Sequence, residues 1–490
     1  MLSWHPAIRL PVWLSSYCSH HREALSMTTL PPDFTADIHR LLGDQRFLTD
    51  ADSLQHYGRD WTRFAQPAPS AITLPETVEE VQAIVKAARR SGVSLVPSGG
   101  RTGLSGGAVA SNGEVVVALD RMNRVLEVNR TDRSLRCQAG AITETIQNAA
   151  TDNQLMYPVD FASSGSSQIG GNIATNAGGI QVIRYGMTRE WVSGLTVITG
   201  TGEKLELNRG LIKNNTGLDL RHLFIGSEGI LGIIVEATLQ LTSPPKNPQV
   251  IVLGLPSMEA IMAVLNAFQE RMDLLAYEFF SELALSKVVE HQQLQRPFDA
   301  VTPYYALLEY EHLGDESDAA IMAVVEHCMT EGWVEDAVLS QSEAQRRSLW
   351  RLREDISETI SRWTPYKNDI ATTVAQVPEF LNRVDNIVAQ RYPDLEVVWF
   401  GHIGDGNLHL NILKPDDVSV ADFQVRCKAV SGEIFAAIQE MGGSVSAEHG
   451  VGLLKKDFLT FSRSSEEITL MRGIKQVFDP DNIMNPGKVI

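Results

Sequence analysis

An α+β fold in more than one domain is what this sequence predicts, on three observations. Helical periodicity alternates with short strand-like runs along most of the 490 residues. In the first half, strand-like runs lead into glycine-rich loops. A proline-rich break, SPPKNP at 243–248, then opens a second stretch in which helices and strands alternate again.

The length allows two or three domains, and 43% hydrophobic with 21% charged residues is ordinary for a folded enzyme-sized chain. A net charge of −18 argues against nucleic acid or an anionic membrane as the main partner. A small acid bound here therefore needs a local cationic pocket. Cys18, Cys137, Cys328 and Cys427 are scattered and form no CxxC pair. A disulfide framework or sulfur cluster is thus not expected, and a reducing, cytoplasmic setting is. The first 26 residues carry Arg9, His20, His21 and Arg22 with no acid before Glu23, a faint targeting-peptide pattern that would instead direct the chain to the mitochondrial matrix. The apolar core at 12–14 is too short for a signal sequence, and residues 1–27 are set apart as a disordered extension. No run of about 18 apolar residues suggests a membrane span.

Taken in order, LPETVEEVQAIVKAARRSG predicts a helix with a capping box, Thr77 with Glu80, an apolar stripe at Val78, Val81, Ile84, Val85 and Ala88, and Gly92 as its stop. The strand VSLVPSGG follows and runs into SGGRTGLSGGA at 98–108, with five glycines in the nine residues 99–107. Such a loop brings backbone amides close to an anion such as phosphate, yet it is neither a Walker loop nor a GxGxxG fingerprint. Strands at 113–120, 124–129 and 134–140 precede a second glycine-rich segment, 163–186. Two loops of this kind suit a ligand with two phosphates. LTVITGTGEKLEL predicts a hairpin turning at Gly200–Gly202, and in 219–241 GSEGILG interrupts two apolar strands. Beyond the break come the helix SMEAIMAVLNAFQER, the strand YYALLEYE and the helix DAAIMAVVEHCMTEG. Residues 340–363 read as one long helix with Leu349, Leu352, Ile356 and Ile360 buried, and Arg353 and Ser357 at the edge of that stripe. Lys367 opens a strand-like run in YKNDIATTV.

VWFGHIGDGNLHLNIL, 398–413, predicts a hairpin. With Gly404–Asn407 as its loop, Ile403 pairs with Leu408 and His402 lies opposite His409. Opposed side chains have Cβ atoms about 4.5–5.5 Å apart, within reach of one metal ion. Asn411 points the same way, because strand side chains alternate. A lone half-buried histidine is usually structural; two on one face, with SVSAEHGVGLLKK downstream, favour a metal. Glu448 and His449 are neighbours there and, in extended chain, point to opposite sides. The chain closes with NPGK, where an exposed Asn485 reads as a turn.

PSGGRTGLSGG, IGGNIATNAGG and LFIGSEGILGII together resemble the flavin-binding domain of the vanillyl-alcohol oxidase and p-cresol methylhydroxylase superfamily, from about residue 70 to 243 and again at the C-terminus. The resemblance implies a two-subdomain flavin-binding domain of the p-cresol methylhydroxylase type at 28–243, an α+β substrate (cap) domain at 244–440 and a helical C-terminal segment at 441–490 that returns to the flavin site. It implies FAD held by Pro97, Gly99, Gly100, Arg101, Thr102, Gly103, Leu104 and Ser105 of the first loop. Ser164, Gly165, Gly170, Gly171, Asn172, Thr175, Asn176, Gly178 and Gly179 would serve from the second, with Glu228, Gly229, Ile233 and Asn485. Several members bind FAD covalently through a histidine of the first loop; with no His or Cys between 98 and 108, noncovalent FAD is expected here.

GHIGDGNLHLN, SAEHGVGLLKK and NPGKV resemble the branch containing D-lactate dehydrogenases, the glycolate oxidase flavoprotein subunit and D-2-hydroxyglutarate dehydrogenases, and LWRLREDISE with YKND is most similar to the last. The branch implies His402, His409 and Glu448 as ligands of Zn2+, with Mn2+ or Co2+ as alternatives, and His449 as the base. Arg353, Ser357, Lys367 and Asn411 become substrate contacts, Ser357 standing where relatives can carry Thr. The implied reaction oxidises a D-2-hydroxy diacid, D-2-hydroxyglutarate or else D-malate, to the 2-oxo acid by hydride transfer to flavin N5. Electron transfer flavoprotein or a quinone is the implied acceptor, and a homodimer is compatible. D-lactate or glycolate dehydrogenase is the alternative within the branch; a zinc hydrolase or metal-binding regulatory protein is the alternative outside it.

Overall fold

Three sheets organise residues 29–490, which the computed structural model describes. The extension read at 1–27, Cys18 included, lies outside the described residues. The first sheet has strands β1 (Phe47–Leu48), β2 (Ala71–Thr73), β3 (Leu95–Ser98) and β4 (Val115–Ala118), in the order β1-β2-β4-β3. β4 runs parallel to both β2 and β3. The second comprises β5 (Val125–Asn129), β6 (Ser134–Gln138), β7 (Val192–Thr199), β8 (Lys204–Leu207) and β9 (Gly232–Gln240), antiparallel throughout in the order β5-β6-β9-β7-β8. One apolar core joins these two sheets to the helices Pro32–Leu42 and Val78–Ser91. The predicted caps of the second helix are present in part. Thr77 accepts from the Glu80 N–H and Gly92 is left-handed at φ 64°, but Glu80 turns its carboxylate to Glu76 N–H and Arg46, so the capping box is half-formed. The first apolar run of 219–241 is also not a strand. Arg221–Phe224 is a helical turn, tied by the Arg221 guanidinium to Asp219 and the Val192 carbonyl.

The third sheet contains β10 (Pro248–Leu255), β11 (Leu274–Ser281), β12 (Tyr304–Glu311), β13 (Asp336–Leu339), β14 (Tyr366–Ala371), β15 (Val397–His402) and β16 (Asn407–Ile412), ordered β13-β10-β12-β11-β15-β16-β14. Both faces are covered, so its central strands are apolar on alternate residues in both directions. Ile251, Leu253, Phe279 and Leu410 pack under the helices on one face, among them Met258–Gln269, Val377–Arg391 and Val420–Glu440. Val250, Val252, Phe280 and Val398 face Leu285 of the helix Glu282–Gln292 and Leu349, Leu352 and Ile356 on the other. The long helix expected at 340–363 divides here into Glu343–Glu354, Ile356–Ile360 and a 3-10 turn, Ser361–Trp363. Its break falls at Asp355, whose carboxylate is held by Arg351 on the preceding turn.

The C-terminal segment crosses between the sheets. Ser444 bridges to Ala371 at the edge of the third, the helix Ser465–Phe478 follows, and Met484 bridges in parallel to Leu95 at the edge of the first. Ile483 and Met484 enter the first core. Among the described residues no helix is long and apolar enough to cross a membrane.

Candidate active site

The strands β15 and β16 form the expected hairpin, in a register different from the expected one. The loop is Ile403–Gly406, a 3-10 turn closed by Gly406 at φ 84°. His402 therefore faces Asn407, and His409 faces Phe400. Asn407 belongs to the strand because its side-chain amide donates to Asp369 Oδ1 and the Ile370 carbonyl on neighbouring β14. The register differs by two residues, an even number, so both histidines keep the same face as diagonal neighbours. Their ring centroids are 5.3 Å apart.

That face is apolar at β10, carries at β12 the buried Glu309 bonded to Arg346 and Trp350, and becomes more polar towards the other edge. Glu278 of β11, His402 of β15, Asn407, His409 and Asn411 of β16, and Lys367 and Asp369 of β14 all lie on it, following the two-residue period of the strands. All but Lys367 are nearly inaccessible.

Glu448 and His449 reach this face from the C-terminal segment. The expectation that they point to opposite sides is corrected, since His449 Nε2 lies 3.6 Å from Glu448 Oε1. The chain at this point bends instead of extending, ending in Gly450 at φ 76°. Two buried carboxylates clamp it. Asp369 accepts the N–H groups of Glu448 and His449 at 3.0 and 2.9 Å, and Glu228 accepts those of Val451 and Gly452 at 2.7 and 2.9 Å. Glu448 then lies 3.9 Å from His402 Nε2 and 3.6 Å from His409 Nε2. Asp369, His409, Glu448 and His449 also form a group whose ligand atoms lie within 4.8 Å of one another. Asp369, however, already serves two backbone N–H groups and Asn407, with Lys455 at 3.7 Å, so it fits a strut better than a ligand. His402 fits a ligand, because Glu278 holds its Nδ1 at 2.8 Å and leaves Nε2 free.

Burial sets the electrostatics. It pushes the Glu448 carboxyl up to about 7 and lowers the His449 imidazole to about 4, the nearby Asp369 charge notwithstanding. Burial also pulls His409 well below its ordinary value, with the charge of His402 adding to the effect. For His402 burial acts downward, yet the adjoining Glu278 and Glu448 raise it to about 9. Burial would lift Asp369, but the neighbouring His449, Lys455 and His409 side chains, together with the Glu448 N–H it accepts, hold it well below the carboxylate range. A divalent cation is the chemical complement of these crowded donors: it takes imidazole lone pairs and a carboxylate and displaces the protons.

Two cations flank the cluster. Arg353 is 5% exposed, stacks over the Phe400 ring at 4.8 Å, and has Nε and Nη2 without a hydrogen-bond partner. Its Nη2 is 2.7 Å from Glu278 Oε2, an ion contact off the hydrogen-bond direction. Lys367 donates to Ser357 Oγ at 2.9 Å and pairs with Asn411 in the sheet. Burial, with Arg63 nearby, lowers Lys367 to about 8. Asn411 is 1% exposed, and its amide contacts the His409 and Val398 carbonyls.

A cleft runs between the first two sheets and ends at His449. Pro97, Gly99, Gly100, Arg101, Thr102, Gly103 and Ser105 line it from the first loop, Gly170, Gly171, Asn172 and Thr175 from the second, and Glu228, Gly229 and Ile233 from the third. Ser98 Oγ and Gln168 Oε1, both on cleft-lining residues, are buried without partners, and a Cβ on Gly171 would meet nothing within 4 Å. Unpaired polar atoms beside open glycine backbone fit a ligand with many acceptors and donors, as FAD is. Leu104, Ser164, Gly165, Asn176, Gly178, Gly179 and Asn485 are not on that wall. Ser164 belongs to a turn bonded to the Phe161 carbonyl and Glu144 N–H, and Gly165 is exposed. Asn176 caps a helix at φ 51°, and Leu104 is half-buried. A Cβ on Gly178 would lie 3.6 Å from Glu448, whereas Gly179 packs against the Asp160 carbonyl. Asn485, expected to be exposed, is 1% exposed and ties the Gly107 and Glu228 carbonyls together from behind.

Sequence reasoning missed Glu278 and Asp369. Each had a signal: Glu278 is the one acid in the apolar strand LLAYEFFS, and Asp369 shares the two-residue period of Lys367.

Residues 244–489 match the family model of FAD-linked oxidases, C-terminal domain, and 69–208 match that of an FAD binding domain. The chain is 57% identical to a D-2-hydroxyglutarate dehydrogenase of Stutzerimonas stutzeri, over 94% of this chain and 99% of that one. It is 55% identical to one of Xanthomonas citri, over 91% and 94%. A putative mitochondrial D-lactate dehydrogenase of Schizosaccharomyces pombe is 33% identical over 90% and 86%. In fold it is similar to p-cresol methylhydroxylase with substrate bound, at a TM-score of 0.74 and 16% identity over 93% of this chain and 96% of that one.

Proposed function

Because the chain belongs to the FAD-linked oxidases and is an FAD-dependent oxidoreductase acting on a CH–OH donor, we propose that it oxidises a D-2-hydroxy diacid, D-2-hydroxyglutarate first, to the 2-oxo acid with the help of a divalent metal. One observation carries this reading: two cations, the buried Arg353 with unpaired guanidinium nitrogens and the half-buried Lys367 bonded only to a hydroxyl, stand beside the His402–His409–Glu448 cluster where the flavin cleft ends. A dicarboxylate satisfies both cations.

When bound, FAD supplies a hydride acceptor for C2 and the metal, Zn2+ in the first instance, polarises the hydroxyl. His402, His409 and Glu448 would hold the ion. Arg353 and Lys367 bind and orient the carboxylates, Ser357 positions the Lys367 ammonium, and Asn411 lines the floor between them. His449, neutral at physiological pH because burial lowers it to about 4, accepts the hydroxyl proton. Of the described residues lining the FAD cleft, His449 alone carries an imidazole or thiol, which supports noncovalent FAD. We assign FAD to residues 28–243, substrate to 244–440 and the return to the flavin to 441–490. Electron transfer flavoprotein or a quinone would serve as the electron acceptor, and a homodimer as the active unit.

A panel of D- and L-2-hydroxy acids with an artificial acceptor tests the reading. D-2-hydroxyglutarate should give the highest kcat/KM, and Lys367→Ala should raise the KM of that diacid while leaving D-lactate unchanged. D-lactate as the better substrate, with Lys367→Ala silent on the diacid, would overturn it in favour of the D-lactate alternative.

A further inference from the structure

One buried acid on the catalytic face has no part in the scheme above. Glu278 is 1% exposed in an otherwise apolar strand, with Tyr277, Phe279 and Phe280 around it in the core. A charge at such a place persists only where its oxygens are engaged. Here they are divided between two partners. Oε1 is 2.8 Å from His402 Nδ1, and Oε2 is 2.7 Å from Arg353 Nη2.

Each contact constrains the partner in a way the chemistry requires. A carboxylate at Nδ1 selects the Nδ1–H tautomer of His402, so the Nε2 lone pair faces Glu448. The ion contact at Nη2 holds the Arg353 guanidinium over Phe400 but, being off-line, consumes none of its hydrogen-bond directions. We propose that Glu278 is a positioning residue that couples the two halves of the site: one carboxylate aims His402 at the metal and Arg353 at the substrate carboxylate. This rests on the function proposed above. It adds that the metal site and the anion site share a support and fail together when that support is removed.

The test is Glu278→Gln in the full-length, FAD-loaded protein. Glutamine has the same shape but one acceptor and one donor, so it serves His402 or Arg353 and not both. Zn2+ affinity, read by competition with a chromophoric chelator, should weaken by about 10- to 100-fold. Binding of 2-oxoglutarate to the Zn2+-saturated variant, read from the flavin absorbance, should weaken as well, with flavin content unchanged. Arg353→Met should weaken 2-oxoglutarate binding while Zn2+ binding stays within about twofold, a split that a merely structural ion pair does not produce. Zn2+ binding by Glu278→Gln within about twofold of wild type overturns the coupling. Should that variant fail to hold FAD, isotope-labelled histidine in Zn2+-loaded wild type decides: a His402 resonance protonated at Nδ1 supports the role, and one protonated at Nε2 overturns it. A wild-type protein that keeps FAD, binds no Zn2+ and turns over fully in chelator overturns the metal reading and this inference together. Normal Zn2+ binding in wild type with no change in the variant overturns this inference alone.

Discussion

The glycine-lined cleft and the polar face of the third sheet are built by opposite means. The cleft is walled by glycine backbone and short side chains from three loops, and its charged members are largely committed elsewhere: the Arg101 guanidinium to Asp120 and the Glu228 carboxylate to the amides of 451 and 452. The polar face of the third sheet gathers imidazoles, carboxylates and cations from strands, a helix and the C-terminal bend, with His402 held by Glu278, Asn407 by Asp369 and Lys367 by Ser357. In the first region the danger is an added atom. In the second it is a missing one.

The largest expected effect comes from removing a functional group on the face. His449→Gln should lower kcat by about 10²- to 10⁴-fold, the usual contribution of a positioned base, while the FAD spectrum is retained. An equal loss of FAD would show that His449, which also lines the cleft, belongs to the cofactor region.

An added methyl in the cleft should act on binding and folding, with a smaller effect. A Cβ on Gly100 would meet the Ser166 carbonyl oxygen at 2.2 Å and the Gln168 nitrogen at 3.0 Å. Gly100→Ala should therefore destabilise by about 1–3 kcal/mol and lower FAD occupancy, read by calorimetry and flavin absorbance. The kcat per bound flavin should hold. A changed kcat per flavin would mean that the two regions are not separable.

The smallest effect is in pH. Lys367, lowered to about 8 by burial and Arg63, is charged below that value and neutral above it. The KM of a diacid should rise as pH passes upward through about 8, at most about tenfold per unit, with no matching rise for D-lactate. Parallel profiles for the two acids would remove Lys367 from the anion site.

How much was legible follows the same division. Glycine density at 99–107 exposed the cleft because backbone recognition needs that residue type locally, and every cleft-lining glycine of that stretch except Gly107 was named in advance. His402 and His409 were legible as a pair because the strand period is short-range, even though the hairpin register was not. Asn407 settled the register through bonds to β14, a strand about forty residues earlier. The half-used capping box was hidden for a similar reason, since Arg46, 34 residues earlier, takes the Glu80 carboxylate that local pattern assigned to the cap.

By itself the sequence determined the α+β class, the glycine loops and the two-histidine face, because local spacing and side-chain chemistry suffice for those. Only the tertiary structure decided that Glu448 and His449 face one cluster, that Asn485 is buried, and that Glu278 stands between His402 and Arg353. These depend on Asp369 and Glu228, from a strand and a distant loop, meeting a single bend of chain, and on Glu278 of another strand meeting His402 and Arg353; no local pattern carries those distances.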